Sequence, residues 1–509
     1  SDDKKQYCSA LRKLSFGKNK GTKFIRLNKR WRFLLGVAIF FVNAINKRKN
    51  MLFKNKTDYL MESIREGRAM SRSEKLNLIV GLSIPSMLAQ ISTVMMFFID
   101  ASMVGHLGAE ASASIGLIES TTWLIGSLLS AAATGFSVQV AHFIGANDFV
   151  KARQVFRHAL ICGLAFSLCV TLACVGVHSH LPYWLGGGAD IAGNSSQYFL
   201  IFGLALPFVF LYHISEMMLK SAGNMHTPSV MAVLICLCDV MFNYLFIYIM
   251  KMGVVGAACG TALAYICISL PNLYLTACRN RILNLRQDKE PFRWVKEYVH
   301  HACKISIPIA IQNILMSGAQ IVSTMIVAPL GNIAIAAHSF AITAESLCYM
   351  PGYGIGDAAT TLVGQTHGAG RTDLCRNFAY MTVGLGMFVM ALMGVVMYVF
   401  APEMIGVLSP VESIRELGTT CLRIEAFAEP FFAASIVTYC VCVGAGDTRK
   451  PAAINLGTMW LVRLTLAYAL SKSYGLEGVW IAMATELTLR GMLFLIRLYR
   501  GSWMKSFQC

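Results

Sequence analysis

Charged residues are scarce in this chain. Asp, Glu, Lys and Arg make up 14% of its 509 residues, against about 25% in an ordinary soluble domain. Hydrophobic residues make up 56%, too many for the remaining polar ones to cover, and that excludes a soluble protein. Short alternating apolar–polar runs are missing, which excludes a lipid-spanning β-barrel. No G-x-x-x-x-G-K-[ST] motif and no ATPase domain occur, so ATP hydrolysis does not power the chain. The 16 cysteines show neither zinc spacing nor a disulfide framework. Most, such as Cys162, Cys169, Cys174, Cys259 and Cys267, sit inside apolar runs as small filler. No helix pairs a His with a carboxylate in a transition-metal pattern. His106, His213, His338 and His367 are scattered and read as satisfied polar contacts.

Long apolar runs are what the chain does have. About 20 such residues cross the hydrocarbon core as a helix. Six runs lie near 78–103, 113–136, 158–178, 197–219, 229–250 and 253–276. Six more lie near 305–329, 333–363, 378–401, 417–444, 452–471 and 478–499. We number them spans 1 to 12. The expected fold is an all-α integral membrane protein. Its parts are a basic segment 1–75, a first lobe 76–278, a linker 279–304 carrying Pro291, a second lobe 305–500 and a tail 501–509.

The charge is uneven. Residues 1–75 hold 20 Lys+Arg and 6 Asp+Glu, so +14 of the formal +17 lies there. A basic segment before a first span fits contact with an anionic leaflet. A plainer reading is a disordered tail, or a start placed too early, with Met51 or Met70 as the true beginning. The run Phe33–Val42 is too short to span, and no small-residue cleavage site follows it as in a signal peptide. Nucleic acid is not an expected partner, because no binding fold accompanies the charge.

One set of connections carries Lys151, Arg153, Arg157, Lys220, Arg279, Arg281, Arg371, Arg376, Arg449 and Lys450, among others. The alternate set carries only Lys251, Arg415 and Lys472. Basic loops face the cytoplasm, so both termini are expected there, with the lipid bilayer as first partner.

An internal repeat runs at one offset, 223 residues. It relates Pro85 to Pro308, Gly108 to Gly331, Gly145 to Gly368, Arg153 to Arg376, Pro207 to Pro430, Gly223 to Gly446 and Pro228 to Pro451. Six spans per half give both halves one orientation, with the symmetry axis along the membrane normal. Rocking two such lobes would expose the cleft between them to each side in turn.

The motifs FFIDASMVGHLG, VGQTHGAGR, GNMHTP and GAGDTRKP resemble those of the MATE multidrug and toxin exporters, over roughly residues 75–500. The resemblance implies twelve helices in a V-shaped arrangement. It implies export of small, often cationic and aromatic compounds from the cell across the bacterial inner membrane, driven by sodium or protons. It calls for no other cofactor, and the chain is expected to act as a monomer and not as an enzyme. A lipid-linked oligosaccharide flippase of the same superfamily is the alternative.

An ionisable residue in hydrocarbon is costly and reads as functional by default. Asp100 lies inside span 1. Asp239 and Asn243 are four apart on span 5 and share a face, as do Ala257 and Thr261 on span 6. By resemblance these five take the cation-coupling positions of the first lobe. Relatives carry Asn–Asp or Asn–Asn on span 5, where this chain has Asp–Asn. In the second lobe Met316 stands where NorM-type relatives carry a carboxylate, and Ser323 is the repeat mate of Asp100. That lobe offers Glu345 and Asp357 on span 8 and Glu425 and Glu429 on span 10 instead. They fit a second protonation site, contacts to a cationic substrate, or a structural network. Arg463 and Glu486 are expected to pair. Glu119 and Glu216 have no assigned face. Tyr349, Met350, Tyr353 and Phe427 are the candidate lining of a substrate cleft.

Overall fold

A computed structural model describes residues 50–288, 292–409 and 411–505. The chain divides into two units, 1–56 and 57–509. The expectations for residues 1–49, including the run Phe33–Val42, and for the tail 506–509 lie outside the described residues. All regular structure among the described residues is helical.

The basic segment does not continue as a tail to residue 75. An amphipathic helix covers Asn50–Arg65, and span 1 already begins at Arg72. Its start is fixed by reciprocal capping. Glu74 N–H donates to Ser71 Oγ at 3.2 Å, and Ser71 N–H donates to Glu74 Oε2 at 2.8 Å.

In the first lobe, span 1 is Arg72–Gly105, span 2 Ala109–Gly145, span 3 Phe149–Val177 and span 4 Ala189–Ser221. Span 5 is His226–Asn243 followed by a π-helical turn, Tyr244–Ile249. Span 6 is Gly253–Tyr274 with a second such turn, Leu275–Arg279. In the second lobe, span 7 is Lys296–Val327, span 8 Asn332–Gly368 and span 9 Thr372–Leu408.

Span 10 departs from the single helix expected at 417–444. It is Glu412–Ala426 and Glu429–Gly444, meeting at 60°. Pro430 stands at the start of the second piece. It has no N–H to offer the Ala426 carbonyl, and the bend falls just before it, whereas its repeat mate Pro207 lies inside the unbroken span 4. The stretch Arg449–Arg500 is helical for 52 residues, about 78 Å at 1.5 Å per residue, far more than the ~30 Å core. It is two spans. Gly475 takes φ 56° and ψ −135°, and beyond it Gly478 folds back against the Leu470 carbonyl. With the bent pair counted once, the spans number twelve among the described residues.

Each lobe has its own core. Phe156, Phe199, Leu206 and Phe210 centre the first, and Met397, Leu422, Trp480 and Leu487 the second. The linker is Asn280–Val295, since span 7 already begins at Lys296. It is pinned to the first lobe where Arg153 Nη2 pairs with Asp288 Oδ1 at 2.6 Å. Val295 N–H also donates to His158 Nε2 at 2.9 Å.

The duplication is visible in the backbone. Three positions in each half take left-handed conformations at the same offset of 223. Gly108 and Gly331 have φ 113° and 99°, Asn147 and Gly370 59° and 69°, Gly223 and Gly446 82° and 79°. Glycine meets that demand at least cost.

The lobes join from mid-span to the end that bears the basic loops. Asn313 Nδ2 donates to the Ser127 carbonyl at 3.4 Å, Gln365 Nε2 to Ser221 at 2.7 Å and His142 Nε2 to Gly444 at 2.8 Å. Spans 2 and 8 cross there at two repeat-related glycines. A Cβ on Gly145 would stand 2.0 Å from the Gln365 carbonyl oxygen, and one on Gly368 2.0 Å from that of His142. Toward the other end each lobe packs on itself, around Val104, Ile247 and Ala257 in the first and Val327, Ala337 and Leu476 in the second. Among the described residues from Thr57 onward the lobes meet at the basic end, here called the closed end.

Gly368→Val should force the crossing apart and destabilise the closed end by about 1–3 kcal/mol. A fall of several degrees in the thermal unfolding midpoint of the purified protein checks this. Gly384→Val, at a position with open space around it, is the control expected to leave the midpoint nearly unchanged.

Candidate functional site

Spans 1, 5 and 6 bring the five first-lobe candidates together. Asn243 is their hub. Its Nδ2 donates to Asp100 Oδ1 at 2.8 Å and to Asp239 Oδ2 at 3.1 Å, so one amide bridges two carboxylates. Asp100 and Thr261 stand beside Asp239 as its polar neighbours. Asp239 and Asn243 are fully buried, whereas Asp100 and Thr261 are half-buried. Ala257 packs beside them against Val104 and Ile247. The fit is tight because span 6 presents Gly260 to the amide: a Cβ there would lie 2.0 Å from Asn243 Oδ1.

Asp239 Oδ1 and Asn243 Oδ1 are buried without a hydrogen-bond partner. Leaving such atoms unpaired costs about 1–3 kcal/mol each. With the Asp100 carboxylate they form an oxygen-rich set that suits a hard cation such as sodium or a shared proton. The π-helical turn Tyr244–Ile249 follows Asn243 directly, a distortion common where a helix carries function.

The second lobe holds a separate acidic cluster. Glu345, Glu425, Glu429 and Glu486 are all buried, as are Arg463 and Arg490. Four acidic groups thus share an interior with two basic ones. Arg463 and Glu486 are electrostatic neighbours, but the expected pair is not the one that forms. Glu486 Oε1 is bridged by Arg490 Nε at 3.2 Å, four residues on along the same helix, while Arg463 donates to the Met483 sulfur. Both carboxylate oxygens of Glu425 and of Glu429 lack hydrogen-bond partners. Arg463 ends a π-helical turn, Thr458–Arg463, on the span that is the repeat mate of span 5. Met316 packs with Ala319, Met459 and Leu464, so no polar group enters from span 7 at that point.

Asp357 belongs to neither cluster. The Lys220 ammonium donates to its Oδ2 at 2.8 Å, Ser86 Oγ at 2.7 Å and Gln90 Nε2 at 3.2 Å. All three donors come from the first lobe, so Asp357 ties the lobes together at the basic end. Lys220 also bridges Glu216 at 2.7 Å, which gives Glu216 its partner. Glu119 is exposed. Residue types alone signalled Lys220 as a basic loop marker and missed it as the partner of an acid 137 residues away. Ser86, Gln90 and Arg490 gave no signal.

The cleft candidates separate. Tyr349 stacks edge-on against Tyr353 and Phe432 at 5.9 and 5.5 Å and is packed beside Met390 and Ile436. Met350 is half-buried and Tyr353 exposed. Phe427 stacks instead on Tyr398 of span 9. At the break in span 10 it lines a shallow groove of about 400 Å³ with Thr485, Leu489 and Met492.

Two duplicated helical lobes, closed at one end and carrying acids in the membrane interior, form the build of a membrane transporter. The model of the MatE family matches residues 85–245 and again 308–469, two stretches whose starts are also 223 residues apart. The chain belongs to the MatE family. It is 24% identical to a probable multidrug resistance protein NorM of Thermotoga maritima, over 84% of this chain and 93% of that one. A protein of the same description from Pseudomonas aeruginosa is 26% identical, over 81% and 86%. Among solved structures, a MATE protein in complex with MaL6 superposes with a TM-score of 0.81 at 21% identity, covering 85% of this chain and 98% of the other. A multidrug resistance MATE transporter of the MOP superfamily in its outward-facing conformation gives 0.79 at 21%, over 85% and 97%.

Arg490→Gln removes the guanidinium that faces buried Glu486. Stripping one partner from a buried pair costs about 3–5 kcal/mol, so the thermal midpoint should drop sharply. Arg423→Gln, which breaks only an exposed contact to Tyr398, should shift it little.

Proposed function

We propose that this protein is a secondary active multidrug exporter that moves small, often cationic organic compounds out of the cell by sodium- or proton-coupled antiport. The observation that carries the reading is the pair Asp100 and Asp239 bridged by Asn243, with Asp239 Oδ1 left unpaired in a buried site. A mobile cation or proton supplies the missing partner, and its arrival or departure changes how spans 1, 5 and 6 pack. The relatives' description as multidrug resistance proteins supports the substrate class.

The basic loops put the closed end in the cytoplasm under the positive-inside rule. The arrangement is then open to the outside, with both termini cytoplasmic and the chain in the plasma membrane as a monomer. Substrate leaves from this state. Cation binding at the Asp100–Asp239 site favours release, and the return to a cytoplasm-facing state requires the Lys220–Asp357 tie to break. Glu345, Glu425 and Glu429 provide a second acidic site, for protons or for a cationic substrate. Carboxyl groups outnumber the guanidiniums of Arg463 and Arg490 there, which suits protons or a cationic occupant better than an anionic one. The tyrosines at 349 and 353 and Met350 lie on the same span as Glu345 and supply apolar and aromatic contact for varied ligands.

Retention of a fluorescent cationic dye in efflux-deficient bacterial cells tests this reading. Wild type should lower retention severalfold, and Asp100→Asn at matched membrane levels should abolish most of that effect. Equal retention with wild type and with empty membranes, despite good expression, would sink the cationic-exporter reading and bring the oligosaccharide flippase forward.

A further inference from the structure

The helix before span 1 lies outside the two stretches that match the family model. From Thr57 onward it is tied to both lobes. Leu60, Met61 and Ile64 are 3%, 3% and 0% exposed. They pack against Leu78, Ile79 and Leu82 of span 1 and Met225 in the first lobe, and against Leu362 and Phe378 in the second. The Met61 methyl occupies the space that a side chain on Gly223 would need, 2.7 Å from its Cβ position.

The end of the helix is held from both sides too. A terminal turn leaves carbonyls without partners. Arg371, from the loop after span 8, donates to three carbonyls in and just beyond that turn. Its Nη1 donates to Ser63 O at 3.1 Å and Ile64 O at 3.3 Å, and its Nη2 to Arg68 O at 2.7 Å. Asn147, from the loop after span 2, donates to Arg65 O at 3.1 Å. These two loops are repeat mates, since Asn147 corresponds to Gly370 and Gly145 to Gly368. One helix end therefore sits where the two symmetry-related loops converge, beside the glycine crossing of spans 2 and 8. A cation at the negative end of a helix dipole strengthens the hold, and the planar guanidinium fork reads several oxygens at once.

We propose that residues 57–68 are a latch that holds the basic ends of the two lobes together and has to leave at least one lobe before that end can open. The contacts to Arg371, Leu362 and Phe378 and those to Asn147, Met225 and span 1 coexist only while the lobes are closed. An element that binds one state of an equilibrium and not the other shifts the population toward the first. The latch thus favours the arrangement closed at the basic end, and anything that lifts residues 57–68 speeds its opening. The inference rests on the lobes moving apart and not on which compound or ion is carried.

Hydrogen–deuterium exchange of the full chain in lipid nanodiscs tests it, comparing wild type with Arg371→Gln and Ile64→Glu. Both variants should exchange faster at 57–65. They should also exchange about tenfold faster at the closed ends of span 4, near 217–222, and span 8, near 361–368. Unchanged exchange in span 3, near 155–170, shows that the fold is intact. Faster exchange at 57–65 with spans 4 and 8 unchanged would overturn the proposal, because the helix would then decorate the lobes without holding them. Unchanged exchange everywhere would overturn it equally. If either variant fails to fold, Arg371→Lys keeps the charge and loses the fork, and the same two readouts decide.

Discussion

A carboxylate in hydrocarbon has no water to fall back on, and the placement of every acidic group in the spans follows from that. Carrying a charge to the middle of a bilayer costs about 2.5–3.5 kcal/mol on insertion scales. A hydrogen bond to a charged group returns about 1.5–3 kcal/mol. Asp357 receives three such bonds, from Lys220, Ser86 and Gln90, and its cost is offset within the protein. It is a structural tie. Asp239 keeps one oxygen unpaired, and Glu425 and Glu429 keep both. In the function proposed above, a cation or a proton supplies their partner. On that reading the paired Asp357 holds the closed end and the unpaired acids are the ones open to an ion.

The two halves share a backbone and not a charge pattern. Left-handed turns recur at 108 and 331, 147 and 370, and 223 and 446, and the glycine crossing of spans 2 and 8 is symmetric about the axis between the lobes. The acidic clusters break the symmetry. The mate of Asp100 is Ser323, and the acids of the second-lobe cluster occur on spans 8, 10 and 12 instead of on 7 and 11, the mates of spans 1 and 5. Duplication supplies the common frame, whereas the chemistry of each lobe is its own. The loop motifs behave likewise. Asn224 caps the start of span 5 by accepting the Thr227 N–H, while its mate Asp447 accepts from Arg497 at the end of span 12.

Much of this was legible in the residues. Long apolar runs and the constant offset define the spans and the repeat without any coordinates. The i,i+4 spacing of Asp239 and Asn243 already puts both on one face, and the resemblance to the exporter family joins Asp100 and span 6 to them. Contacts between distant segments were not legible. Nothing local marks Asp357 as the partner of Lys220, nor Arg490, one turn along the helix, as preferred by Glu486 over Arg463. The break in span 10 was not legible either, since Pro430 stands inside an apolar run as its mate Pro207 does in the unbroken span 4. The helix at 57–65 was hidden by its setting, because a basic segment reads as a tail until its Leu60, Met61 and Ile64 find an apolar seat.

Ion coupling is the claim on which the functional account turns. Purified protein in sealed lipid vesicles, given a gradient of sodium alone or of protons alone, measures it directly by the movement of a fluorescent cationic dye. The account predicts that one of these gradients drives the dye uphill, and that an imposed dye gradient drives the same ion the other way. Dye that merely runs down its own gradient at the same rate with and without either ion gradient would contradict it.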